Sequence, residues 1–257
     1  MGEERIGGHL LVEALKAQGV EIAFGVPGES YLAVIDGLHD ANSVKTVMCR
    51  QEGGAAMMAE AHGKITGRPG LCMVTRGPGA TNASAGVHIA FQDSTPMVLL
   101  VGQVARDQAE REAFQEIDYR RMYGQMAKWV AEIDIADRIP EYISRAFHTA
   151  MAGRPGPVVL ALPEDMLRDA TTTAAADIAF VGAVETMNVN VTSDSSIADL
   201  DFDAGTTALN ITAGADLTVT NQVTSAEVAT LTISGAGDVS LTALDASTIT
   251  VSAGSAS

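Results

Sequence analysis

Hydrophobic and polar positions follow two rhythms along this chain. In the first part, apolar residues recur at helical spacing over residues 10–18, 31–39, 52–66, 82–92 and 140–152. Short runs that are apolar throughout lie between them, at residues 20–26, 44–48, 71–75, 97–102 and 157–162. A strand without polar alternation is buried on both faces. This order therefore predicts an α/β domain, a doubly wound parallel sheet with helices on each side and ligand sites at the strand ends. Gly19 and Gly67 stop two of the helices, and Pro27-Gly28 and Gly77-Pro78-Gly79 read as turns after strands. The Met57-Met58 pair reads as core. Residues 103–139 read as a polar stretch with no assigned element.

The second rhythm has period two. Leu209, Ile211, Leu217 and Val219 align without a gap onto Leu231, Ile233, Val239 and Leu241, at an offset of 22 residues, with Met187-Asn188-Val189 as a weaker upstream copy. Leu and Ile alternate with Thr and Ser in each unit, as in a half-buried strand. One such unit cannot bury its apolar face alone, so repetition predicts stacking into an all-β solenoid or β-roll. Gly235-Ala236-Gly237-Asp238-Val239 reads either as a plain turn or as part of a calcium-binding nonapeptide. The Thr/Ala/Gly-rich, Lys-free tail resembles the repeats of bacterial surface-layer and secreted proteins.

Composition marks the boundary between the two rhythms. Every Lys and Arg lies between Arg5 and Arg168, and every proline at or before Pro163; beyond Ala170 only Phe180 and Phe202 are aromatic. The chain is therefore read as residues 1–168, a linker at 169–185, and a β-repeat segment at 186–257. At 47% hydrophobic and 19% charged it is globular, and its formal charge of −16 disfavours nucleic acid and anionic membranes as partners. Cys49 and Cys72 are too few for a disulfide framework or thiolate cage. The acidic start MGEERIGGHLL does not read as a signal peptide, and no apolar run is long enough for a membrane span. The expected location is the cytoplasm, although the tail's composition suits a secreted or surface protein. The five histidines show no ligand spacing, so no metal site is predicted.

Candidate chemistry gathers at the strand ends. Gly25-Val26-Pro27-Gly28 follows the first strand, Glu52 begins the helix after the second, and Gly77 to Asn82 follows the third. In a parallel sheet these open on one edge, giving a glycine-lined pocket with one carboxylate. Taken singly, Glu52 reads as a first-turn acid favoured by the helix dipole, and Gly-Pro-Gly as a turn. The segment matches neither a phosphate loop nor GxGxxG. Together they predict a cofactor pocket.

Six ordered segments carry a resemblance: FGVPGES (24–30), RQEGGAAMMAEAHGKITGRPG (50–70), VTRGPGATN (74–82), DSTPMVLLVGQV (93–104), AFQEID (113–118) and GRPGPVVLALPEDM (153–166). Over about residues 5–168 the chain resembles the pyrimidine-binding N-terminal domain of thiamine-diphosphate enzymes, closest to the acetolactate synthase large-subunit family. The resemblance implies that Glu52 shares a proton with a ring nitrogen of the cofactor's aminopyrimidine. This activates the thiazolium carbon towards a 2-keto acid, with the cofactor as electron sink. It further implies cofactor contacts at Pro27, Gly28, Gly77, Pro78, Gly79 and Asn82, and substrate-side roles for Phe114 and Gln115. Lys128 is either an access-channel lysine or a solvated one. Arg154 is either a flavin contact or a charged turn residue. Magnesium and FAD are implied by the family, yet no Gly-Asp-Gly diphosphate anchor appears in the sequence. The expectation is thus a binder of the pyrimidine half alone, inactive as a single chain and completed by a second copy or a separate diphosphate-binding subunit. An enzyme fragment fused to a repeat protein, or a misassembled reading frame, is the competing expectation.

Overall fold

The computed structural model describes residues 4–41, 43–173, 178–180, 186–191, 195–202, 208–213, 217–224, 230–236, 239–241 and 249–253. The chain divides into two compact units, Met1–Ala175 and Ala176–Ser257.

The first unit opens with β1 (Arg5–Ile6), α1 (Gly7–Ala17), β2 (Ile22–Gly25), α2 (Leu32–Asp40), β3 (Lys45–Met48) and α3 (Glu52–Thr66). It continues with β4 (Gly70–Val74), α4 (Pro78–Asp93), β5 (Met97–Gln103), α5 (Tyr119–Tyr123), β6 (Trp129–Glu132), α6 (Ile139–Met151), β7 (Pro157–Pro163) and β8 (Ala170–Thr171). Six strands form one parallel sheet in the order β3-β2-β4-β5-β7-β6. The short β1 and β8 pair antiparallel beside it.

Side chains alternate across the central strands. Val98 and Leu100 of β5 join one core cluster with α1, α2 and α6, while Met97, Leu99 and Val101 join the other with α3, α4 and α5. The first cluster is rich in Leu and Ile. The second is rich in Ala, because α3 and α4 approach at backbone distance: a Cβ on Gly86 would come 2.5 Å from Ala56 Cβ. Alanine therefore occupies the contact, and Met57 and Met58, expected in the core, are turned outward, 44% and 39% exposed.

Two further expectations are corrected. The Gly77-Pro78-Gly79 turn is a helix start: Pro78 is the first residue of α4, four residues before the expected beginning, since a fixed φ and a missing N–H suit that position. The stretch at 103–139 also contains α5 and β6. β6 is an outer strand of four residues with incomplete burial, so it lacks the fully apolar signature of the central strands.

In the second unit the described strands are β9 (Ile178–Phe180), β10 (Thr186–Val191), β11 (Ser195–Phe202), β12 (Ala208–Ala213), β13 (Leu217–Thr224), β14 (Thr230–Gly235), β15 (Val239–Leu241) and β16 (Ile249–Ala253). They pair in parallel as β10-β12-β14-β16 and β15-β13-β11-β9. Thr186 is opposite Ala208, and Ala208 is opposite Thr230. Leu231 is opposite Ile249. Gly237 and Asp238, the middle of the calcium-type segment, lie outside the described residues, as do residues 174–177 and 181–185 of the linker.

Candidate functional site

Strand order fixes where a ligand can reach the sheet. From β2 the chain turns outward to β3 and then returns past β2 to β4, so the crevice opens at the C-terminal ends of β2 and β4. The loops after these strands carry Pro27-Gly28 and Gly77-Pro78-Gly79. Glu52 enters the same crevice from the first turn of α3.

Two helix N-termini converge on the Glu52 carboxyl. Gln51 is the N-cap of α3, its side chain accepting from the Gly54 amide at 2.7 Å, which leaves the Glu52 carboxyl free of that task. Asn82, one turn into α4, donates from Nδ2 to Glu52 Oε2 at 3.0 Å. A Cβ on Gly79 would stand 3.5 Å from Glu52 Oε1 and 3.0 Å from Thr75 Cγ2. A side chain at 79 would thus fill the space beside the carboxyl, which glycine leaves clear. Gly28 packs on the same threonine, where an added Cβ would lie 2.4 Å from Thr75 Cβ. Ser30 and Thr75 hydroxyls are 2.8 Å apart beneath. Glu52 itself is half-buried.

Gly77 joins this wall to the segment after β5. Its φ is 63°, its amide donates to the Tyr119 hydroxyl at 3.0 Å, and a Cβ there would come 2.6 Å from Gln115 Cβ. Burial pushes the Tyr119 phenol up to about 12, so at neutral pH it remains a hydroxyl able to accept this bond. Beside Gln115, Phe114 is 71% exposed. Pro27 lines a neighbouring, mostly apolar cavity of about 350 Å³ with Gly25, Tyr31, Ile35, Met48 and Met73.

Lys128 and Arg154 stand elsewhere. The Lys128 backbone amide bonds the Pro157 carbonyl at the start of β7, and its ammonium donates to the carbonyls of Thr149 and Ala152 at the end of α6. Partial burial holds the Lys128 pKa below the usual lysine value. Arg154 donates to Ser94 Oγ (2.7 Å) and to the carbonyls of Phe91 (3.1 Å) and Gln92 (3.2 Å), capping the far end of α4. Helix α4 has 16 residues, so Arg154 is roughly 24 Å along it from Pro78. Both cations occupy the N-terminal edge of the sheet, opposite Glu52.

Arg76 was not among the residues singled out by sequence. It is buried beside the pocket and bonded to Glu29, Glu164 and the Phe114 carbonyl. Its partners lie 38 to 88 residues away, so only its place inside VTRGPGATN marked it in the sequence. On the surface where α1 crosses α2, His9, Asp36 and Asp40 bring ligand-type atoms within 4.8 Å of one another, with His9 bonded to Asp36 at 2.9 Å. Histidine spacing alone gave no sign of it, because the other two members are carboxylates of α2. Among the described residues, no helix is long and apolar enough to cross a membrane.

Residues 5–122 match the family profile described as thiamine pyrophosphate enzyme, N-terminal TPP binding domain. The chain is 40% identical over 164 residues to the acetolactate synthase isozyme 3 large subunit of Escherichia coli, covering 64% of this chain and 29% of that protein. It is 38% identical over 159 residues to the acetolactate synthase large subunit of Haemophilus influenzae, 62% of this chain and 28% of that one. With the mitochondrial acetolactate synthase catalytic subunit of Saccharomyces cerevisiae it shares 38% identity over 160 residues, 62% of this chain and 23% of the relative. The chain thus spans under a third of the length of these curated relatives. Residues 5–122 are similar to the N-terminal TPP-binding domain of thiamine pyrophosphate enzymes, and about 160 residues of the chain to part of acetolactate synthase large and catalytic subunits.

Proposed function

We propose that the first unit supplies the pyrimidine side of a thiamine-diphosphate site, with Glu52 as the acid/base group towards the aminopyrimidine, in an enzyme acting on 2-keto acids in branched-chain amino acid biosynthesis. The observation that carries this reading is the Glu52 carboxyl, set by Asn82 at the meeting of two helix N-termini, with glycine at 79 keeping the space beside it open. When bound, the cofactor supplies the electron sink for decarboxylation and carboligation. The chain's residues do the rest of what is assigned to this side. Glu52 holds a proton at the ring nitrogen, Asn82 orients Glu52, Pro78 and Gly79 shape the wall, and Pro27 and Gly28 form the adjoining loop. Phe114 and Gln115 present the substrate side.

The opposite wall comes, in this reading, from a second copy of the chain or from a separate diphosphate-binding subunit. Magnesium and FAD belong to the reading only through the family. Arg154, the residue tied to flavin, has its Nε and Nη2 committed to the end of α4, and no step is assigned to it. Both cysteines are free thiols, which suits a reducing compartment such as the cytoplasm. For residues 186–257 we infer stacked β-repeats. What supports this is a parallel register that advances by 22 residues at two successive steps, Thr186 to Ala208 to Thr230, as the sequence repeat does.

Calorimetric titration of thiamine diphosphate with Mg²⁺ tests the reading, using the wild-type chain and Glu52→Gln, each with and without a candidate diphosphate-binding partner. Saturable heat from the wild type, and loss of turnover in the Glu52→Gln complex with its fold intact, are expected. Full activity in Glu52→Gln would overturn the assignment.

A further inference from the structure

One buried guanidinium ties together four segments at the C-terminal edge of the sheet. Arg76 follows β4 directly before Gly77 and is 8% exposed. Its Nη2 donates to Glu29 Oε1 at 2.9 Å, on the loop that carries Pro27-Gly28. Its Nη1 donates to Glu164 Oε2 at 3.0 Å, just after β7. Its Nε donates to the Phe114 carbonyl at 3.1 Å, in the long segment after β5. Two carboxylates compensate the buried charge, and the third direction of the fork is spent on a neutral carbonyl.

That carbonyl belongs to a segment that is unfavourable by itself. Glu110, Glu112 and Gln115 all have left-handed backbone, with φ of 61°, 52° and 64°. Non-glycine residues keep such angles only where the surroundings over-determine them, and clusters of them occur at functional sites. The Glu116 carboxylate holds the segment from within, accepting from the amides of Glu110 (2.6 Å) and Ala113 (3.0 Å). From outside, Gln103 Nε2 holds the Ile117 carbonyl at 2.9 Å, and Arg76 holds Phe114. Gln115, next in line, is pressed onto Gly77.

We propose that Arg76 is the positioning residue of this site. Its guanidinium fixes Phe114 and Gln115 against the Gly77-Pro78-Gly79 wall and so sets the substrate-side surface of the pocket. The assignment of that surface rests on the thiamine-diphosphate reading. The chemistry requires arginine: a planar fork donates in three fixed directions, whereas an ammonium satisfies the two carboxylates but does not reach the carbonyl as well. Arg76→Lys therefore separates charge compensation from positioning.

The test is hydrogen exchange, read by mass spectrometry on the full chain, for wild type, Arg76→Lys and Arg76→Gln. In Arg76→Lys the melting temperature is expected to stay near wild type, because a cation still sits between Glu29 and Glu164. Exchange at the Glu110, Ala113 and Glu116 amides is expected to rise roughly tenfold or more, as follows from losing one charge-assisted hydrogen bond. Amides of α3 and α4 should exchange as in wild type. Arg76→Gln should show the same local effect together with lower stability; if it does not fold, Arg76→Lys decides alone. A merely structural role predicts that lysine restores both melting temperature and exchange. Unchanged exchange at 110–116 in Arg76→Lys, or an equal rise throughout the first unit, overturns the proposal. Titrating thiamine diphosphate with Mg²⁺ into the wild-type chain in the same series bears on the cofactor reading alone. Absent heat there, with the diphosphate-binding partner present as well as without it, removes that reading, while the exchange data still decide whether Arg76 holds the segment.

Discussion

Gly77 shows how a single position joins the pocket wall to the segment behind it. Its backbone, φ 63° and ψ −113°, is one that L side chains rarely adopt, and an added Cβ would also stand 2.9 Å from the Gln115 carbonyl oxygen. Gly67 has a similar φ of 69° at the end of α3 but meets no atom within 4 Å. Gly67, at ψ 10°, lies in the left-handed helical region, whereas Gly77 lies outside it, so the two differ in backbone strain as well as in steric conflict. Gly67→Ala should cost about 1 kcal/mol, the strain alone. Gly77→Ala adds a more strained backbone and displacement of Gln115, and should cost on the order of 2–4 kcal/mol. Thermal unfolding of the two variants checks this: the Gly77→Ala shift should be at least twice that of Gly67→Ala, and equal shifts would show that the backbone at 77 and the 110–116 segment both yield freely. At this scale the sequence exposes some residues and hides others. Glu52 taken singly reads as a first-turn acid; what singles it out in the sequence is its conjunction with the flanking glycine turns and its place in the family-like segment RQEGGAAMMAEAHGKITGRPG. Arg76 is hidden because its meaning depends on Glu29, Glu164 and Phe114, whose approach no local pattern encodes.

Helices and strands were legible wherever one chemical requirement dominated. Central strands such as β5 and β7 are buried at every position, so continuous apolar runs announce them. α3 runs from Glu52 to Thr66 as its spacing predicts, closed by Gly67 in the left-handed conformation. β6 was not legible because Trp129-Val130-Ala131-Glu132 is an outer strand with one face partly wet. The start of α4 was missed because glycine and proline signal a turn and a helix N-terminus in the same letters. Helix ends also account for Lys128 and Arg154. The last carbonyls of a helix lack partners, and a cation donating to them satisfies the bonds and the dipole together. Arg154→Ala removes this from α4 and leaves the Phe91 and Gln92 carbonyls without their donor. The expected loss is about 1 kcal/mol, or a few degrees in melting temperature for a domain of this size. Thiamine-diphosphate titration should be unaffected, because the change is at the opposite edge of the sheet from Glu52. A variant with wild-type melting behaviour but weakened cofactor binding would instead give Arg154 a ligand-facing role.

The two units differ in what stabilises them, and that sets how the whole molecule should respond to being divided. Both apolar clusters of the six-stranded sheet are made only of residues up to Leu167, layered on the two faces of strands that pair with one another. β8 at Ala170–Thr171 closes back onto β1, and Thr171 Oγ1 bonds Asp137. Among the described residues, the strands of the first unit thus find their pairing partners within Met1–Ala175, and its two apolar clusters lie there as well. The described strands of the second unit pair only among themselves. A core of this size is large enough to fold alone. A polypeptide of residues 1–175 should therefore unfold in one cooperative transition, with the same melting temperature and the same helical circular dichroism per molecule as the full chain. All six α-helices among the described residues lie in that fragment. Loss of helical signal, or a melting temperature lowered by many degrees, would show that residues beyond 175 contribute to the stability of the sheet domain. If the fragment instead matches the full chain and gives the same thiamine-diphosphate titration, the candidate site belongs wholly to the first unit, and any polypeptide completing it must meet the edge where Glu52, Asn82 and Gly79 lie.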